Sequence, residues 1–341
     1  MGKLLYEVSI IRPLVIGLMV LYHSFCIWGG EWSEFQCFRA NDFYYYLVAF
    51  IKGFRIETIA FIAGYVYSYQ LIDLNRNSCF LPFLKKKFNR LVVPCLFFSI
   101  IYYFIFYSKS DFNFIDFVYR VTNGAGHLWF LPMLFWCFLA MWYIGKYSPN
   151  QRSTFIILSL VSIIPVPQLP FGLTKCFHFL FYFYAGYLMW IYKEKLFAKI
   201  GKIKHIILFI LIYIFLIFLN EYIKNINFSS GVFHRLIKME LLSVLKYLMT
   251  IFGILSLYLF VYSYTRRFDF KCSNFTIHLS EVCYGVYVFH QFILVYLYYH
   301  TSLPCLLGLI TPWIFFTLTL FVSYLLTIIF LRFDFGKKMI G

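Results

Sequence analysis

The sequence predicts an all-α integral membrane protein: about ten transmembrane helices forming a single domain over residues 1–341, with both termini in the cytoplasm. Three observations carry this. The 341 residues are 62% hydrophobic and 24% aromatic, and only 13% are charged, against roughly 25% in a soluble domain; the mean hydropathy is +0.77. The apolar stretches are long and continuous, which fits helices and not the alternating segments of about ten residues that build a membrane barrel. Lys and Arg concentrate in alternate connections, as the positive-inside rule requires of cytoplasmic loops.

The expected spans lie at roughly 10–28, 50–71, 91–107, 128–146, 153–169, 174–192, 205–220, 241–264, 280–299 and 305–331. Pro165, Pro167 and Pro170 close the fifth. With the N-terminus inside, the inner segments collect Lys3, the Arg76–Arg90 cluster, Lys146, Arg152, the Lys193–Lys204 cluster, Arg266, Arg267, Lys271, Arg332, Lys337 and Lys338. The outer segments hold only Arg39, Lys109, Arg120, Lys175, Lys224, Arg235 and Lys238. The formal net charge of +16 therefore reads as membrane topology and not as a nucleic-acid partner. The first apolar run lacks a small-residue cleavage site and is too long for a signal-peptide core, so it is expected to remain as a span. No internal repeat or low-complexity linker divides the chain.

The nine cysteines include no C-x-x-C pair. They are expected to be small core residues, forming neither a disulfide framework nor a zinc site. The N-x-S/T matches at Asn227 and Asn274 carry no weight, since Asn274 falls in a loop expected inside.

Chemistry-bearing residues stand out against this background because polar groups in a span are costly and turn toward partners or wet cavities. Span 1 carries Arg12 and His23. Eleven residues apart, they lie on nearly one face, about 16 Å apart along the axis; an interfacial anchor and an isolated polar residue are the alternative reading. Span 2 opens with Lys52, Arg55 and Glu57. Lys52 marks the outer interface. Arg55 and Glu57, two positions apart, point to different faces and need partners elsewhere.

The inner run Lys85, Lys86, Lys87 and Arg90 leads into Pro94. It either sets topology or pairs with the phosphates of a nucleotide-bearing ligand. Span 4 opens with His127 and Trp129, either an aromatic-belt anchor or the edge of a sugar site. In span 9, Tyr287 and His290 are one turn apart and share a face, and a mid-span His is expected to point into the bundle.

Taken together, these stretches resemble the acyltransferase 3 family of bacterial membrane acyltransferases over nearly the whole chain. The resemblance rests on Arg12-x10-His23, the Arg55…Gly64 stretch, Lys85…Arg90…Pro94, His127-Leu-Trp129, Phe183–Tyr187 and Tyr287-x-x-His290, in that order. In the second of these, Glu57, Ala60 and Ala63 stand where the family usually has proline, an aromatic and serine. The resemblance implies a membrane-bound O-acyltransferase of the bacterial inner membrane, which moves an acyl group, most often acetyl, from acyl-CoA to a hydroxyl of a cell-surface glycan or its lipid-linked precursor.

On that reading Arg12, Lys85, Lys86, Lys87 and Arg90 hold the CoA phosphates. His23 is the general base, or carries the acyl group as an acyl-imidazole. Arg55 stabilises the oxyanion or holds the acceptor, and Glu57 orients His23. His127, Trp129, Tyr287 and His290 line the acceptor side, and no metal is expected. A lipid-linked glycan flippase or a glycan polymerase would also use many spans with buried charges. The repeated halves and paired broken helices frequent in transporters and the large outer loop expected of a polymerase are both missing.

Overall fold

The computed structural model describes residues 5–76, 79–108, 112–148, 150–164, 166–226, 231–267 and 273–340. Lys3, Lys109, Pro165, Asn227, Lys271 and Cys272 lie outside them. The described chain is helical: α1 (Tyr6–Phe25), α2 (Asp42–Lys52), α3 (Arg55–Ile72), α4 (Phe80–Lys87), α5 (Val93–Phe106), α6 (Phe114–Asn123), α7 (Phe130–Tyr147), α8 (Gln151–Ile163), α9 (Leu173–Ile200), α10 (Ile203–Asn225), α11 (Val232–Arg267), α12 (Asn274–Tyr299), α13 (Leu303–Leu307), α14 (Thr311–Leu331) and α15 (Asp334–Ile340). A π-type turn at Phe88–Val92 joins α4 to α5, and a 3₁₀ turn at Gly126–Trp129 leads into α7.

Among the described residues, seven helices are long and apolar enough to cross a membrane: Tyr6–Phe25, Phe80–Phe106, Gly126–Tyr147, Ile203–Asn225, Phe233–Arg267, Asn274–Tyr299 and Leu303–Leu331. Helices also form where the other three spans are expected, at α3, α8 and α9. α8 has only 13 residues. α3 interrupts its apolar run with Arg55, Glu57, three tyrosines and Gln70, and α9 ends in a charged stretch from Lys193 to Lys199.

Two features depart from expectation. The apolar stretch 50–71 is not one helix, because the chain breaks at Gly53–Phe54 between α2 and α3. Cys37 and Cys305 form a disulfide, with Cα atoms 5.2 Å apart. These two cysteines lie outside the buried helix interiors that hold Cys95, Cys137, Cys176 and Cys283, and they approach closely enough to bridge.

The chain divides into two compact units. The first comprises Met1–Glu34, Ala40–Ile59 and Ile191–Ser280; the second comprises Phe35–Arg39, Ala60–Trp190 and Glu281–Gly341. In the first, α1 packs on α2 and α11, and α10 packs on α11 and α2. α1 buries Val8, Ile11, Val15, Met19 and Tyr22, spaced three or four apart as on one helix face. The end of α2 is held from two sides: Tyr213 of α10 donates its hydroxyl to the Phe50 carbonyl, and Thr250 of α11 donates to the Gly53 carbonyl at 2.8 Å. These bonds satisfy carbonyls that a helix end leaves without intrahelical partners.

In the second unit, α5 packs on α6 and on both turns, and α7 packs on α4 and the π-type turn. Here α3 and α9 cross at two glycines: a Cβ on Gly64 would land on the Phe183 carbonyl, and one on Gly186 would land on the Phe61 carbonyl. Small residues allow such backbone approach in a membrane, where close packing does much of the work of the hydrophobic effect. Overpacking costs about 1–3 kcal/mol even where neighbours can yield, and here the obstacle is backbone. Gly64→Leu and Gly186→Leu are each expected to lose most of the monodisperse folded protein in size-exclusion chromatography of detergent extracts. A wild-type peak from either would contradict the crossing.

Candidate active site

His23 lies in the last turn of α1 and is half-buried. The chain then folds back over the helix end: Gly29 N–H donates to the Cys26 carbonyl, Gly30 N–H to Ile27 and Glu31 N–H to Cys26, at 3.1, 3.0 and 3.2 Å. Gly30 makes this reversal with φ +71°, a conformation glycine adopts without steric penalty. The turn carries Glu31 and Trp32 back to α1. The Tyr22 hydroxyl donates to the Glu31 carboxylate, Lys52 at the end of α2 forms an ion pair with the same carboxylate, and the Trp32 indole lies near the His23 ring, with centroids 6.0 Å apart.

The break at Gly53 places Arg55 at the first residue of α3. Its side chain is buried, with Cζ 3.2 Å from the Tyr22 ring centroid and Nη1 donating to the Lys52 carbonyl at 3.5 Å. A guanidinium over an aromatic face gains electrostatic attraction that grows once water is excluded. Glu57 is buried at 2% exposure, near the helix N-terminus that suits a carboxylate, and lies within electrostatic reach of Tyr213. Arg55 and Glu57 thus find different surroundings, as their two-residue spacing requires. Arg12 is exposed on α1, three turns before His23.

The Glu31 carboxyl lies outside the spans. Burial pushes it up, but the hydrogen bonds from Lys52 and Tyr22 outweigh burial and hold it below the ordinary carboxylate range.

The second unit holds the remaining candidates. Lys85, Lys86 and Arg90 are exposed, whereas Lys87 turns inward with Nζ 3.5 Å from the Phe138 ring centroid. The π-type turn that follows shifts the helical register between Lys87 and Arg90, and such turns are frequent at functional sites. The Arg90 carbonyl accepts from the Tyr284 hydroxyl of α12 at 3.0 Å.

His127, Tyr287 and His290 come together, all buried. The Tyr287 hydroxyl donates to the His127 carbonyl at 2.6 Å, His127 Nε2 lies 3.1 Å from the Val288 carbonyl, and His290 Nδ1 lies 2.6 Å from the Tyr287 carbonyl. The two imidazole rings are 4.7 Å apart. Gly126, which precedes His127, lets the turn lie close to its neighbours: a Cβ there would meet Tyr102 and Gln291, at 2.7 and 3.0 Å. Trp129 turns elsewhere, with Lys175 Nζ 3.5 Å from its ring centroid.

Sequence reasoning missed Tyr22, Glu31 and Trp32. Glu31 offered a signal as one of the chain's few acidic residues, in a connection expected outside the membrane. Among the described residues no group of three or more His, Cys, Asp and Glu could hold a metal ion.

The family model for the acyltransferase domain of the acyltransferase 3 type matches residues 5–332, so the chain belongs to that family. The protein is an acyltransferase by this membership, and its apolar helices make it a multi-pass membrane protein. No curated protein and no solved structure matches it.

Because the folded Glu31 carboxyl titrates below its unfolded value, its stabilisation is complete above the unfolded value and is lost as pH falls through the folded one. Glu31→Gln is expected to lower the thermal midpoint of the full-length protein at pH 7. The gap to wild type should close as pH is taken below about 4, the ordinary carboxylate value. An equal gap at both pH values would contradict the ion pair.

Proposed function

We propose that this protein transfers an acyl group, acetyl foremost, from acyl-CoA to a hydroxyl of a cell-surface glycan or its lipid-linked precursor, with His23 as general base. The observation that carries the reading is the end of α1 in a chain of this family: an imidazole beside Tyr22, whose ring is covered by the buried Arg55 guanidinium.

In the proposed reaction His23 takes the proton of the acceptor hydroxyl as its oxygen attacks the thioester carbonyl. The carbon–oxygen bond forms, the carbon–sulfur bond breaks, and the imidazolium returns the proton to the departing CoA thiolate. Arg55 is a cation suited to the developing oxyanion, and Glu57 orients the imidazole. Arg12, Lys85, Lys86, Lys87 and Arg90 carry the positive charge that CoA phosphates need. The acceptor role goes to His127, Trp129, Tyr287 and His290, as aromatic and hydrogen-bonding side chains.

The proposed topology counts α3, α8 and α9 as spans alongside the seven apolar helices, with both termini cytoplasmic in a bacterial inner membrane. It puts the Cys37–Cys305 disulfide on the outer side, where an oxidising compartment sustains such bonds, and His23 in the outer half.

Mass spectrometry of surface glycans tests this with the gene present, deleted, and replaced by His23→Ala at matched protein level. The mass increment of one acetyl group is expected in the first strain, with at least a hundredfold loss in the other two, the low end of what a general base contributes, about 10²–10⁴. An increment that survives His23→Ala contradicts the base. Loss of the whole glycan on deletion, with His23→Ala unchanged, would favour a protein that moves or polymerises glycan.

A further inference from the structure

The segment that closes the end of α1 presents two indoles with different fates. Trp28 is 5% exposed and packs edge-on against Tyr44 of α2, with centroids 5.2 Å apart; it belongs to the core. Trp32 stays half-buried, and its ring lies nearly parallel to the His23 imidazole, at an interplanar angle of 24°. Its neighbour Glu31 is fixed three ways: by its N–H on the Cys26 carbonyl, by the Tyr22 hydroxyl and by the Lys52 ion pair. A flat ring thus lies beside the proposed base, on a segment whose preceding residue, Glu31, is anchored by this side-chain network. An indole combines an apolar face with a rigid shape and little conformational entropy to lose. The C–H face of a saccharide ring fits such a surface, and the ring's hydroxyls then project from its edge. Correct placement of the reacting oxygen is itself a large part of catalysis.

We propose that Trp32 is a further acceptor-contact residue, the one beside the His23 imidazole, seating a saccharide ring on its indole so that one hydroxyl meets the imidazole, with Glu31 as the positioning residue that holds Trp32 there. The proposal rests on the reading of His23 as base. It favours an acceptor that is a sugar ring over an open-chain alcohol, because a platform of this kind selects for a C–H ring face.

The test compares acetyl occupancy of the surface glycan at matched protein level in Trp32→Phe, Trp32→Leu, Glu31→Gln and Glu31→Asp strains, with CoA binding measured on the purified full-length variants. Trp32→Phe keeps a ring and is expected to stay within about twofold of wild type, while Trp32→Leu keeps apolar bulk without a ring and is expected to fall roughly tenfold, the size of one stacking contact. Glu31→Gln is expected to lower transfer and Glu31→Asp to restore it, with CoA affinity unchanged throughout. Wild-type transfer in Trp32→Leu, equal loss in Trp32→Phe and Trp32→Leu, or a parallel fall in CoA affinity would overturn the assignment. If His23→Ala abolishes the acetyl mark while Trp32→Leu leaves it intact, only the Trp32 assignment falls. If wild type leaves no mark, or His23→Ala keeps it, the base reading falls and takes Trp32 with it.

Discussion

The buried guanidinium of Arg55 is the constraint to which the first unit answers. A cation out of water must be paired or lie against electron-rich groups, or the fold loses several kcal/mol. Here the Tyr22 face meets it, Tyr22 is anchored by Glu31, and Glu31 is anchored by Lys52. The chain break at Gly53 delivers Arg55 to this place, and Tyr213 and Thr250 hold the break from α10 and α11. Segments far apart in sequence thus converge on one charge, and His23 stands next to the ring that meets it.

The second unit solves the same problem with backbone. His127, Tyr287 and His290 are buried, and hydrogen bonds tie each of them to a main-chain carbonyl of the Gly126–Trp129 turn or of α12. Polar atoms of buried rings thus meet main-chain acceptors in an apolar interior. Lys87 shows a third solution, its ammonium lying over the Phe138 ring.

Much of this was legible in the sequence, because membrane burial makes each polar residue conspicuous. The need of Arg55 and Glu57 for separate partners followed from their spacing, and the shared inward face of Tyr287 and His290 from one helical turn. The joint between α2 and α3 was not legible: Phe50 to Tyr65 reads as one apolar run, and the hydroxyls that hold the break come from positions 213 and 250. The Cys37–Cys305 disulfide closes a separation of 268 residues, which no local pattern reveals. The placement of Glu31 and Trp32 was hidden for a related reason, since it depends on a chain reversal at Gly30 and not on any periodicity.

The central claim is that this chain itself moves an acyl group from CoA to a sugar hydroxyl through the end of α1. The most direct measurement reconstitutes the purified full-length protein in liposomes with acetyl-CoA labelled in the acetyl group and a membrane fraction containing lipid-linked glycan. Label is expected in the saccharide, in an ester linkage released by hydroxylamine, with wild-type protein and not with His23→Ala. Label that stays on CoA with wild-type protein, or that reaches the saccharide equally with His23→Ala, would contradict it.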